Sequence, residues 1–166
     1  MRKYLYIFFT VVIFSCNNSC KPEKVSVENE TILSSKDEFL KYVNKARGEG
    51  RKCGTQYFAA TSPVTWNSDL EKAAYLHSKD MFENKYFSHI SKSGIEPSTR
   101  IIAQNYFFKS FAENIFSASG FTPTSEEIIT QWVKSPTHCI NIMTPDFKDM
   151  GIGGYQNHWT QLFGSK

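Results

Sequence analysis

Residues 1–34 of this 166-residue chain read as lying outside any folded core, which leaves 35–166 for the fold. Arg2 and Lys3 give the start a positive charge, and Tyr4 to Phe14 follow as an apolar run of eleven residues, too short to span a bilayer. Ile13-Phe14-Ser15-Cys16 comes next, with an aliphatic residue three before a cysteine and a small one directly before it. That is the pattern of a bacterial lipobox, relaxed by Phe14, in which residues 1–15 are a signal peptide and Cys16 receives lipid. Ordinary cleavage without lipid is the alternative. Asn17 to Ser34 holds few large apolar residues, so 16–34 reads as a polar tether, with a root-mean-square reach of roughly 20–25 Å for its flexible part. The expectation is an exported protein, lipid-anchored to a bacterial membrane. Asn17 lacks the aspartate linked to inner-membrane retention, which points to the outer membrane or cell surface.

The remaining length fills one ordinary domain with a real core and does not fill two. Without Arg2 and Lys3 the chain carries 17 basic against 16 acidic residues, and no basic stripe argues for nucleic acid. The membrane, through the lipid, is the expected partner, and the protein is expected to be a monomer. With Cys16 assigned to lipid, Cys20, Cys53 and Cys139 remain. An odd number outside the cytoplasm leaves one thiol over, and Cys20, in the polar run, is the natural spare.

Two capping boxes predict helix starts at Ser35-Lys36-Asp37-Glu38 and Ser68-Asp69-Leu70-Glu71, and Thr124-Ser125-Glu126-Glu127 opens a further helix. Behind the first, Phe39, Leu40, Val43 and Ala46 recur at helical spacing; behind the second, Leu70, Ala73, Ala74, His77 and Met81 share one face. His77 therefore reads as a satisfied core histidine. Residues 51–67 read as loop with one short strand at 64–66. A short helix is expected near 99–105, Ala112 to Ile115 stays ambiguous between strand and turn, and Ser135-Pro136 suits a fresh N-cap and first helical residue. Gly153-Gly154 and Gln156-Asn157 read as turns in a closing hairpin. Helices interspersed with a few short strands make an α+β domain.

Several segments then resemble, in order, the bacterial branch of the CAP superfamily (cysteine-rich secretory proteins, antigen 5, pathogenesis-related 1). They are Arg51-Lys52-Cys53-Gly54, Trp66-Asn67, Tyr86-Phe87-Ser88-His89, Ala112-Glu113-Asn114-Ile115, the run from Trp132 to Met143, Gly151-Ile152-Gly153, and His158 to Gly164. The resemblance implies an α-β-α sandwich with a small antiparallel sheet and a cleft. It places His89, Glu113 and His158 at that cleft and, since both cysteine-bearing segments match, pairs Cys53 with Cys139. Ala112 replaces a usual glycine, and Ser135 stands where a second cleft glutamate is expected, so His138 becomes the candidate replacement.

Two imidazoles and a carboxylate meeting in a cleft could ligate zinc through His89 and His158, or do acid and base work near neutral pH. They could equally hydrogen-bond one another and tie chain segments together. No catalytic residue is assigned on sequence, and no cofactor beyond that zinc. The expected function is a binding or interaction module for a lipid, sterol or protein ligand, as the resemblance implies for several members. The alternative is a metal-assisted, peptidase-like hydrolase using the His/Glu cleft. The many Phe and Tyr residues read mainly as core, with an apolar groove or membrane-facing patch as the other option.

Overall fold

The computed structural model describes residues 27–166, with side chains from Ser35 onward. The expected signal peptide, Cys16 and Cys20 lie outside the described residues. The first element, α1 (Val27–Arg47), begins eight residues before the expected capping box, so 27–34 are helix and not tether. Glu28, Glu30 and Leu33 are good helix formers, and a capping box in mid-sequence does not stop a helix that continues upstream of it.

Two hairpin strands follow, β1 (Arg51–Cys53) and β2 (Gln56–Phe58), where a loop was expected; three-residue strands carry no readable alternation. After β3 (Thr65–Trp66) comes α2 (Ser68–Glu83). Its cap is Asn67, one residue earlier than expected: the Asn67 side chain accepts from the backbone N–H of Asp69 and of Leu70 at 3.0 and 3.1 Å. Glu71 is thereby released from capping and accepts the Trp66 indole N–H at 2.7 Å. The next elements are α3 (Pro97–Ile102), β4 (Ser110–Ser117), α4 (Ser125–Lys134) and α5 (Pro136–Met143). Thr124 and Glu127 form the expected reciprocal box on α4, and Ser135 takes the N-cap position of α5, without a side-chain capping bond, with Pro136 behind it. The chain closes with β5 (Asp149–Tyr155) and β6 (His158–Ser165), a hairpin turning at Gln156-Asn157. Gly153 and Gly154 lie within β5 and make no turn.

The main sheet runs β3-β5-β6-β4, antiparallel except for the β3–β5 pair. Met150, Ile152 and Phe163 point to one face, where α1, α4 and α5 bury Val43, Ile128, Trp132 and Ile142 against them. Leu162 points to the other face and packs with Leu70, Ala73 and Ala74 of α2, Ile101 of α3 and Tyr106. This is an α-β-α sandwich. The second layer sits close because β5 presents glycine to α2: a Cβ at Gly151 would lie 2.1 Å from Glu71 N, and one at Gly153 2.1 Å from Tyr75 N.

Two links tie the first layer together. Cys53 and Cys139 form a disulfide, with Cα atoms 5.4 Å apart, that joins the β1–β2 hairpin to α5. Arg47, fully buried at the end of α1, donates to the carbonyls of Ser62, Ile142, Thr144 and Phe147 at 2.6–3.2 Å. Two of those carbonyls belong to the C-terminal end of α5, the negative end of the helix dipole. Burial holds the Arg47 pKa down at about 10, so it keeps its charge near neutral pH.

Candidate functional site

Glu113 sits in the edge strand β4 and points to the α2 face with its side chain 3% exposed. A buried carboxylate needs a partner, and Glu113 has two. Arg100 of α3 donates to Oε2 at 2.7 Å, and the Nδ1–H of His89 donates to Oε1 at 2.8 Å. The same Arg100 donates to the carbonyls of His89 and Ile95, both at 2.9 Å, and so fixes the loop that carries His89. His77 of α2 stands behind the pair, its Nε2 3.9 Å from Glu113 Oε1 and donating to the Ser88 carbonyl at 3.0 Å. His77 Nδ1 is buried with no hydrogen-bond partner among the described residues. Burial pushes the His77 pKa below its ordinary value, against a smaller upward pull from Glu113.

This geometry fixes what each group can do. With Nδ1 donating to Glu113, His89 leaves Nε2 as a lone-pair acceptor, and its side chain is 49% exposed. It is the open group of the site, able to hold a metal. Glu113 orients it, each of its carboxylate oxygens accepting one hydrogen bond.

The other two histidines are placed differently. His138, half-buried on α5, accepts the Asn114 side-chain N–H at its carbonyl oxygen at 3.3 Å; burial first and nearby His89 second lower its pKa. Next to it Asn141 donates to the Glu113 carbonyl and to Asn114 Oδ1, so α5 holds the edge strand from the far side. His158 pairs with Ser117 in the sheet while Glu113 pairs with Leu162, four residues along, about 13 Å at strand rise. Its ring packs against Phe82 and Phe87, each at 6.1 Å, and Nδ1 pairs with Asn157. Burial lowers its pKa as well. The structure thus joins His89 to Glu113 and sets His158 in an aromatic cluster. No group of three or more His, Cys, Asp or Glu suited to a metal occurs among the described residues.

Arg100 and the nearness of His77 to Glu113 were not foreseen. Neither was a cavity of about 640 Å³ at the other end of α2, walled by Phe39, Trp66, Tyr75, Ile128, Ile152 and Trp159. Lys36, Lys72 and Gln156 contribute to its lining.

The model of the cysteine-rich secretory protein family, CAP, matches residues 40–163, nearly all of the folded part. The chain belongs to the CAP family. Two CAP-region relatives in Bacillus subtilis are the uncharacterized protein YkwD, 31% identical over 103 residues, and the uncharacterized membrane protein YlbC, 31% identical over 100. These matches cover 61% and 60% of this chain but only 39% and 28% of the relatives, so the chain spans well under half of either. Among solved structures, an extracellular SCP-domain protein from Bacillus anthracis superposes with a TM-score of 0.67 at 24% identity, over 81% of this chain and 41% of that one. An outer surface protein from Borrelia burgdorferi superposes with a TM-score of 0.59 at 21% identity, over 84% of this chain and 93% of that one. At such identities the shared property is the CAP sandwich itself. Among the described residues no helix is long and apolar enough to cross a membrane.

Proposed function

We propose that this CAP domain is an exported, lipid-anchored binding module that takes up a small apolar or amphiphilic ligand in the cavity beside α2. The observation that carries the reading is the cavity itself: about 640 Å³, within the range of small-molecule sites, and walled by large apolar and aromatic side chains with a few polar groups among them. Lys36 and Lys72 suit an acidic headgroup. Export is supported by the leader and by the Cys53–Cys139 disulfide, which suits an oxidising compartment. Anchoring through Cys16, at the outer membrane or cell surface, rests on the lipobox alone.

The cavity reading is tested by titrating the protein with a long-chain fatty acid and following the heat of binding by calorimetry. Saturable change is expected in the wild type and at least a tenfold weaker response in Ile152→Trp, which fills the cavity. A wild-type response that Ile152→Trp leaves intact removes the cavity as the site.

A second reading keeps one observation in its favour: the exposed Nε2 of His89, aligned by a buried carboxylate, is how a metal-ligating histidine is supported. Zinc uptake by the wild type that His89→Ala abolishes, joined to hydrolytic turnover, is the result that favours it.

A further inference from the structure

Among the described residues, the outward side of α2 is met only along its edge, by the β5–β6 hairpin. Its inward side, from Leu70 to Met81, is buried, whereas Lys72, Tyr75, Leu76, Lys79, Phe82 and Glu83 recur three and four residues apart on the outward side. Tyr75, Leu76 and Phe82 are 40–43% exposed, and Phe87, just past the helix, is 51% exposed. The β5–β6 hairpin extends this surface. Tyr155 contacts Tyr75 at 6.0 Å and Phe82 at 5.5 Å between ring centres, and His158 continues the series from Phe82 to Phe87. A contiguous exposed surface of this kind marks an interaction site.

Its chemistry narrows the partner. Aromatic rings with lysines among them are the composition of a surface at the water–bilayer boundary, where rings sit at headgroup depth and lysine stems reach out to phosphate. Lys72, Lys79 and Lys85 bring positive charge, and Lys79 lies over the Tyr155 ring. Two carboxylates stand beside these three lysines: Glu83, 3.7 Å from Lys79, and Asp80, which accepts from the uncharged Asn84 and Tyr86 and keeps its charge. The excess is basic, which matches an anionic lipid surface.

Chain connectivity gives a second, independent argument. Ser35 and Lys36, the first described side chains of α1, line the same cavity as Lys72 and Tyr75 of α2. The chain upstream therefore joins the fold on this side, and eleven residues, Cys16 to Ser26, span at most about 40 Å. A lipid on Cys16 would hold this side of the domain toward the membrane.

We propose that the outward face of α2, with Phe82, Phe87 and the hairpin tip, docks on an anionic phospholipid bilayer and sets the cavity beside the headgroups. The docking deepens the binding reading, and rests on it for the anchor, by giving an amphiphilic ligand a path from the bilayer into the cavity.

The test uses full-length lipidated protein in vesicles of phosphatidylcholine alone or mixed equally with phosphatidylglycerol, both containing acyl-brominated lipid. Phe82→Trp and, separately, Phe87→Trp place a reporter on the face. Phe107→Trp is the control, because Phe107 is 67% exposed but precedes the Ser110 end of β4, about 25 Å along the sheet from Ser117 and His158. After subtraction of the parent emission, the face reporters should be quenched at least twice as strongly as the control in the anionic vesicles. Lys79→Glu with Lys85→Glu should remove most of that difference. Equal quenching of face and control, or a difference that persists without phosphatidylglycerol, overturns the docking. Flotation separates the two readings: protein that floats with equal quenching keeps its anchor and loses the docking face, whereas protein that does not float loses both.

Discussion

Three side chains from three separate parts of the chain, His77, His89 and Arg100, converge on one buried carboxylate, that of Glu113. Burial makes His77 a neutral imidazole, because desolvation lowers its pKa more than Glu113 raises it. A basic group with a folded pKa below its unfolded one contributes stability that is fully present above about 6.5 and is lost as pH falls below that value, since the unfolded chain takes up the proton first. His138 and His158 shift in the same direction. The melting temperature is therefore expected to fall from pH 7.5 toward pH 5. His77→Gln, which keeps a donor toward the Ser88 carbonyl, should make that fall shallower, by up to about 1.4 kcal/mol per pH unit. Stability curves of equal slope for the two proteins would refute the assignment of this acid sensitivity to His77.

The elements were legible in proportion to how local their causes are. Thr124 and Glu127 signal the start of α4 because both halves of the cap lie within four residues, and Gln156-Asn157 marks the hairpin because a turn is local too. The limits of α1 and the β1–β2 hairpin were not legible, since neither depends on a strong local signal. At the site, His89 and Glu113 were readable through family resemblance, and the Cys53–Cys139 pairing with them. Arg100 sits in a six-residue helix with no pattern to mark it, and the place of His158 four residues along β6 from Leu162 could not be read from motif order, which does not give strand register. Gly153 shows the same contrast: it reads as a turn residue, yet its role is to admit α2. A Cβ there would lie 2.1 Å from Tyr75 N and 2.3 Å from Tyr75 Cα, backbone atoms that move only with the helix. Gly153→Ala is expected to cost about 3 kcal/mol, seen as a lowered denaturation midpoint with an unchanged slope. A loss below about 0.5 kcal/mol would mean that α2 is not seated as described.

At the scale of the whole molecule, the question is what keeps an eight-residue helix, α5, in place. A helix this short has little stability of its own and depends on tertiary links. Here those links are the burial of Cys139, Ile142 and Met143, the Arg47 contacts to its last carbonyls, and the disulfide to Cys53. The same helix carries His138 and, through Asn141, braces the backbone of Glu113. The disulfide closes a loop of 86 residues in sequence, for which chain entropy gives an upper figure of about 4–5 kcal/mol. For a domain of this size that corresponds to a melting temperature lower by on the order of 10 °C once the link is removed. The double variant Cys53→Ala with Cys139→Ala should show this drop in the absence of reductant, and dithiothreitol should produce it in the wild type but not in the variant. A reductant effect of equal size in both proteins would place the stabilising link elsewhere. Non-reducing peptide mapping completes the test, since a Cys20–Cys139 peptide in place of the Cys53–Cys139 one would contradict the fold at α5.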